Sequence, residues 1–297
     1  MPKNLLGIRY LAKSDIESII DTAFEYKSNP KSYVNSLTNK NIITIFFENS
    51  TRTRTSFEMA AKKMGANVIN IDYEKSSLKK GETDFDTIKN LSAMHPDAFV
   101  VRHYHSGYPY FLSKFTDIPI INAGDGTSEH PSQAILDLMT MSEKKGSLDG
   151  LNVCIIGDII NSRVARSHLE VSKKFNWNLS FFGPSTMLPK ADWIKGIKIE
   201  KSLKSALSKK DFVVLLRIQL ERNSGQNLPS LSEYARFFGI NENNLPKDAY
   251  IMHPGPVNRD VELSSYAMDN FENVLITNQV ENGVFARMAV YDFCLNQ

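Results

Sequence analysis

The sequence predicts an α/β protein of two similar-sized domains, each a parallel β-sheet flanked by helices. Three observations lead there. Short apolar runs rich in β-branched residues, such as 42–47 and 153–156, read as strands buried on both faces. Stretches with apolar residues at helical spacing follow them, and this alternation implies parallel strands joined by right-handed crossovers. After residue 150 the alternation starts afresh, and 297 residues suffice for two domains that each bury a core.

The elements follow in order. Ser14-Asp15-Ile16-Glu17 has capping-box spacing, and Ile16, Ile19, Ile20, Ala23 and Phe24 then share a helical face until Asn29-Pro30. The strand 42–47 comes next. A helix over 55–64 is marked by Phe57, Ala60, Ala61 and Met64, with Gly65 as its stop. A strand at 67–71, a polar loop at 73–81, a helix at 83–94 and a strand at 98–101 ending in Arg102 continue the pattern. A helical stretch at 108–115 leads to a strand at 118–121, which opens into Gly124-Asp125-Gly126-Thr127-Ser128-Glu129-His130-Pro131. Pro131 starts a helix that ends near Gly146, and the domain boundary is placed on it, 1–133 against 134–297.

The second half repeats the scheme with a strand at 153–156, a helix at 162–175 and strands at 179–182, 212–216 and 250–252. Its last element, a helix at about 280–295 carrying Val284, Met288, Tyr291 and Cys294, is expected to pack back on the first domain. The turn after 153–156 has only Gly157 where a dinucleotide site needs spaced glycines, so no nicotinamide or flavin cofactor is expected.

The densest chemistry is Glu48-Asn49-Ser50-Thr51-Arg52-Thr53-Arg54, which ends a strand and opens a helix. A helix N-terminus presents unpaired N–H groups and favours negative charge. The hydroxyls of Ser50, Thr51 and Thr53, with the forked donors of Arg52, complete a cradle for a phosphate. A single capping hydroxyl would not need two arginines interleaved with it. Ligands of parallel sheets sit beyond the carboxyl ends of the strands. Arg102 and the loop before His130 lie at that edge with the cradle.

Composition narrows the classes. A formal net charge of +2 gives no field for nucleic acid or an anionic membrane, and 23% charged against 42% hydrophobic residues is a globular balance. No signal-peptide core or membrane-length apolar segment is seen, so a cytoplasmic protein is expected. Cys154 and Cys294 have no metal-ligand spacing and read as buried apolar residues. His103 and His105 alternate without a third ligand nearby, and no metal is expected. With no nucleophile elbow or Walker loop, positioning and electrostatic stabilisation are left as the means of catalysis.

Ser50-Thr51-Arg52-Thr53-Arg54 and His130-Pro131-Ser132-Gln133 resemble the two shared motifs of the aspartate and ornithine carbamoyltransferases, and the similarity runs in order along essentially the whole chain. Ser76-Ser77-Leu78-Lys79-Lys80-Gly81-Glu82, Leu215-Leu216-Arg217-Ile218-Gln219 and His253-Pro254-Gly255-Pro256 resemble the aspartate branch. The resemblance implies that residues 1–133 bind carbamoyl phosphate and 134–297 bind aspartate. It implies that Ser50, Thr51, Arg52 and Thr53 hold the phosphate and that Thr53, Arg102 and His130 polarise the carbamoyl oxygen. Gln133, with the backbone of Gly255 and Pro256, would hold the NH2 end. Arg163, Arg217 and Gln219, together with Lys80, would bind aspartate. Ser76 and Lys80 would come from a neighbouring subunit of a homotrimer, the spacing to Lys80 favouring Ser76 over Ser77. No cofactor is implied, and further assembly with regulatory chains or another pathway enzyme is left open. The alternatives are a carbamoyltransferase for another amine such as ornithine, and a non-catalytic anion-binding relative.

Overall fold

The computed structural model describes residues 3–72, 83–190, 192–218 and 230–296. The chain forms two compact units, one of residues 1–139 with 281–297, the other of residues 140–280.

The first unit is built on four parallel strands, β1 (Asn41–Phe46), β2 (Asn67–Asp72), β3 (Ala98–His103) and β4 (Ile120–Asp125), in the order β2-β1-β3-β4. The strands β1, β3 and β4 are buried almost without interruption, as their unbroken apolar runs require of a sheet covered on both faces. Ile43, Ile45, Phe99, Val101 and Ile120 pack with Ile88, Tyr108 and Leu112 into one core cluster. The crossovers are α2 (Thr51–Lys63), α3 (Asp84–Ser92) and the short α4 (Tyr108–Leu112), with α1 (Lys13–Ser28) ahead of them and α5 (Pro131–Lys145) after. The first helix begins earlier than its capping-box spacing predicts. Ala12 is the N-cap, and Asp15 accepts from its N–H at 2.9 Å.

Two further boundaries differ in ways that matter. Helix α2 starts at Thr51 rather than Thr55, so the cradle residues form its first turn. Strand β4 runs to Asp125, four residues past its expected end, because Asp125 stitches the polar segment together. Its Oδ1 accepts from Asn122 Nδ2 and from Glu129 N, and its Oδ2 accepts from Gly107 N.

The second unit has five parallel strands, β5 (Asn152–Ile156), β6 (Asn178–Phe182), β7 (Lys198–Ile199), β8 (Phe212–Leu215) and β9 (Tyr250–Met252), in the order β7-β6-β5-β8-β9. Helices α6 (Arg163–Lys174), α7 (Leu203–Leu207), α8 (Leu231–Phe238) and α9 (Ser265–Asn270) flank it. Cys154, Val213, Leu215 and Ile251 pack with Ala206, Ile240 and Leu263 in its core. Both cysteines are buried thiols, which burial pushes up to about 11 at Cys154 and about 12 at Cys294.

Helix α10 (Ile276–Leu295) closes the chain and packs back on the first unit. Tyr291 lies edge-on to Phe57 and donates to its carbonyl at 3.2 Å, and Lys27 of α1 donates to Asn282 at 2.8 Å. Among the described residues no helix is long and apolar enough to cross a membrane.

Candidate active site

Each sheet reverses its strand order once in a way that opens a crevice at the strands' carboxyl ends. In the first unit that point lies where β1 and β3 adjoin, with Phe46 opposite Arg102. The chain leaving β1 becomes the start of α2, and β3 delivers Arg102 beside it. The sheet and the short turn 47–50 thus set the start of α2 beside Arg102, which reaches Thr53.

The start of α2 is unusual for a helix. Its first turn carries no acid, while Arg52 and Arg54 add positive charge where the macrodipole is already positive. Ser50 occupies the N-cap position but makes no side-chain capping bond, so its hydroxyl is not consumed by the helix. Thr51 and Arg52 are exposed, Ser50 is half-buried and Thr53 is buried. An end of this kind is matched to an external anion.

Arg102 is fixed on three sides. Its Nε donates to Glu48 Oε1 at 2.7 Å, and Nη1 approaches both Thr53 Oγ1 and the Ala123 carbonyl at 3.4 Å. Glu48 was not among the sequence-predicted site residues. Because Thr53 Oγ1 accepts from Arg102, its own proton is directed elsewhere and can be donated to a ligand.

His130 ends the loop after β4 and caps α5, its carbonyl accepting from Gln133 N at 3.0 Å and Ala134 N at 3.1 Å. Its Nδ1 lies 3.4 Å from Ser132 Oγ, and only 5% of the residue is exposed. The loop that aims it is held hard. Glu129 accepts from Ile8 N and Arg9 Nε. Gly126, at φ +44°, comes so close to Ser106 that a Cβ would lie 2.6 Å from its backbone N, so no other residue fits there. Gln133 donates from Nε2 to Asp137 Oδ1 at 3.0 Å.

His103 is not presented to a ligand. It stacks on Tyr108 with ring centroids 3.6 Å apart, and its Nδ1 accepts from His105 N at 2.8 Å. Burial, reinforced by the neighbouring His105, lowers its pKa to about 4, so the ring is neutral.

In the second unit the corresponding point lies where β5 and β8 adjoin, with Ile156 opposite Leu215. Arg163 opens α6 after the turn Gly157-Asp158, and Arg217 follows β8; both are half-buried. Glu262, 1% exposed, organises the neighbouring backbone. It accepts from Ile218 N at 2.8 Å and from Asn258 N at 2.6 Å, while Asn258 donates to the Ile218 carbonyl at 3.0 Å. The turn 253–256 is held by Gln279, which accepts from His253 N, and by His253 Nδ1, which accepts from Gly255 N. Gly255 and Pro256, joined by a cis peptide bond, thus lie past β9 in the same unit as Arg163 and Arg217. Ser76, Ser77, Lys80 and Gln219 lie outside the described residues.

The chain is similar to known proteins along its length. Residues 3–143 match the family model described as aspartate/ornithine carbamoyltransferase, carbamoyl-P binding domain, and residues 149–294 match its Asp/Orn binding domain. The aspartate carbamoyltransferase catalytic subunit of Caldanaerobacter subterraneus subsp. tengcongensis is 48% identical over 295 residues, covering 98% of this chain and 97% of the relative. That of Campylobacter hominis is 47% identical over 297 residues, covering 98% and 96%. Among solved structures, aspartate transcarbamoylase from Trypanosoma cruzi in complex with carbamoyl phosphate superposes with a TM-score of 0.87 at 29% identity, over 99% of this chain and 97% of that one. The catalytic subunit of the M. jannaschii enzyme gives 0.87 at 32% identity, over 99% and 98%. Ornithine carbamoyltransferase from Pyrococcus furiosus gives 0.88 at 26%, over 99% and 97%.

Proposed function

The chain belongs to the aspartate/ornithine carbamoyltransferase family, and we propose that it transfers the carbamoyl group of carbamoyl phosphate to the α-amine of L-aspartate. The products are N-carbamoyl-L-aspartate and phosphate, an early step of pyrimidine biosynthesis. The observation that carries this reading is the first turn of α2, with two arginines, no acid and an uncapped Ser50, set against an Arg102 already anchored by Glu48.

Ser50, Thr51, Arg52 and Thr53 take the phosphate. Thr53, Arg102 and His130 take the carbamoyl oxygen, and Gln133 takes the NH2 end. Carbamoyl phosphate is thereby assigned to the unit of residues 1–139 and aspartate to that of residues 140–280, where Arg163 and Arg217, with Gln219, bind the two carboxylates. Two half-buried guanidinium groups at one sheet edge suit a dicarboxylate and oppose the cationic side chain of ornithine, which favours the aspartate reaction. The relatives at 46–48% identity carry the aspartate name, and the Trypanosoma cruzi enzyme has been solved with carbamoyl aspartate and phosphate.

The neutral amine of aspartate attacks the carbamoyl carbon. A C–N bond forms, the oxyanion of the tetrahedral intermediate is met by donors from Thr53, Arg102 and His130, and the bond to the phosphate oxygen then breaks. The departing phosphate takes the amine proton. In water the two anions repel and the amine is protonated, so charge neutralisation and alignment are what the site contributes. The active assembly is proposed to be a homotrimer in which Ser76 and Lys80 serve a neighbouring subunit; the relatives' name, catalytic subunit, supports assembly in general. Two cysteines kept as buried thiols suit a reducing, cytoplasmic setting.

The test is to incubate the protein with carbamoyl phosphate and either aspartate or ornithine and to identify the product by mass spectrometry. Carbamoyl-aspartate alone supports the reading. Carbamoyl-ornithine would overturn the assignment of Arg163 and Arg217 while sparing the cradle.

A further inference from the structure

We propose that Asp137 is a positioning residue for the carbamoyl group, fixing which end of the Gln133 amide faces it. The proposal rests on the assignment of Gln133 to the carbamoyl NH2 given above.

Gln133 and Asp137 stand four residues apart on α5, on one face of the helix, with Nε2 donating to Oδ1 at 3.0 Å. Gln133 is 7% exposed and Asp137 is fully buried. A carboxylate oxygen only accepts, so the end of the amide turned to Asp137 must be its NH2. The amide oxygen therefore points the other way, and no donor reaches it among the described residues. That orientation is the one a carbamoyl NH2, itself a donor, requires. The flipped amide would set NH2 against NH2.

A carboxylate with no exposure needs an opposite charge nearby. Arg287 of α10, 4% exposed, supplies it through space rather than by a direct bond. Asp137 is among the groups whose charge favours the protonated guanidinium, against a burial that lowers its pKa to about 10. Arg287 is itself fixed, with Nη1 donating to the Gly283 carbonyl at 2.6 Å and the guanidinium 5.0 Å from the centre of the Phe57 ring. The glycine makes room for it, since a Cβ at position 283 would lie 2.7 Å from Nη1.

The decisive variant is Asp137→Asn, which keeps the volume but has one accepting and one donating end. The positive charge of Arg287 favours the oxygen on its side, so the new NH2 turns to Gln133 and reverses it. Binding of carbamoyl phosphate and of inorganic phosphate is measured for both proteins. Carbamoyl phosphate should weaken about ten- to a hundredfold, and inorganic phosphate, which has no NH2, by less than about twofold. Gln133→Leu should show the same split, and the double variant should be no worse than either single one. Equal weakening of both ligands, no weakening, or multiplying effects in the double variant would overturn the proposal. Should Asp137→Asn fail to fold, the wild-type protein answers through the Gln133 side-chain amide protons, assigned by their loss in Gln133→Leu. Slow exchange of these protons with water before ligand is added supports the proposal, and fast exchange refutes it. Wild-type protein that binds phosphate but not carbamoyl phosphate would sink the substrate assignment itself, and the proposal with it.

Discussion

Arg102 leans on Glu48: its Nε donates to Glu48 Oε1 at 2.7 Å, with the two side chains only 12% and 13% exposed. A guanidinium this enclosed needs a carboxylate, and the pair leaves one edge of Arg102 for Thr53 and for a ligand. Glu48→Gln keeps the shape but removes the charge that aims Arg102. Turnover should fall by about tenfold or more while the melting temperature moves little, as judged by steady-state rates and calorimetry on the same preparation. Full activity would show that Arg102 is held by its other contacts.

Arg52→Ala removes a forked donor from the cradle. We expect a rate loss of about a hundredfold or more, by analogy with preorganised donors lost from other sites. Inorganic phosphate should raise the melting temperature of the wild-type protein and should no longer do so in the variant. Undiminished stabilisation by phosphate would place the anion elsewhere.

His103 makes stability fall in acid. Its folded pKa of about 4 lies below the ordinary value of 6.5, so the unfolded chain binds the extra proton first. The contribution is complete above pH 6.5 and is lost progressively as the pH falls towards 4. Between pH 7 and pH 5 this one group should cost about 2 kcal/mol, and in His103→Gln the urea midpoint should drop correspondingly less over that interval. Identical slopes in the two proteins would mean that His103 is not held neutral.

The buried pair at the far edge of the second sheet should matter for stability alone. Lys210 donates to Glu200 at 2.8 Å and to Ser180 at 2.9 Å, with side-chain exposures of 9% and 1% for the ion pair. Burial raises the Glu200 carboxyl, but its bonds to Lys210 and Lys198 outweigh that and leave it below the usual range. Lys210→Met would strand the carboxylate at a cost of about 3 kcal/mol. Denaturation should register this with kcat unchanged, because the substituted Lys210 precedes β8 whereas Arg217 follows it. A variant as stable as wild type would show that Lys198 alone suffices.

Much of this was legible in the sequence, and the exceptions share a cause. Unbroken apolar runs gave β1, β3 and β5, and a cluster of hydroxyls and arginines after such a run marked the cradle, because those signals are local. Glu48 escaped although it stands two residues from Ser50. Its role becomes visible only when β3 lays Arg102 alongside, 54 residues on. Glu262 and Glu200 were invisible for the same reason, each serving backbone or charge from another part of the fold. Asp137 had a faint signal as an acid four residues after Gln133 in the otherwise apolar stretch 134–139, where a buried carboxylate demands a partner. The early start of α2 was missed because Thr and Arg at consecutive positions carry no apolar period.

The return of α10 also sets an order of events during synthesis. The residues of the second unit, 140–280, form one uninterrupted stretch, whereas the first unit draws on 281–297 as well. Tyr291, Arg287 and Asn282, which complete the packing around Phe57 and Lys27, are synthesised only after the whole of the second unit. The unit begun first is therefore completed after the second, and a nascent chain stalled near residue 280 carries a complete second unit and a first one with an open apolar face. A truncation that removes α10 would be expected to aggregate through that face rather than fold as a smaller protein.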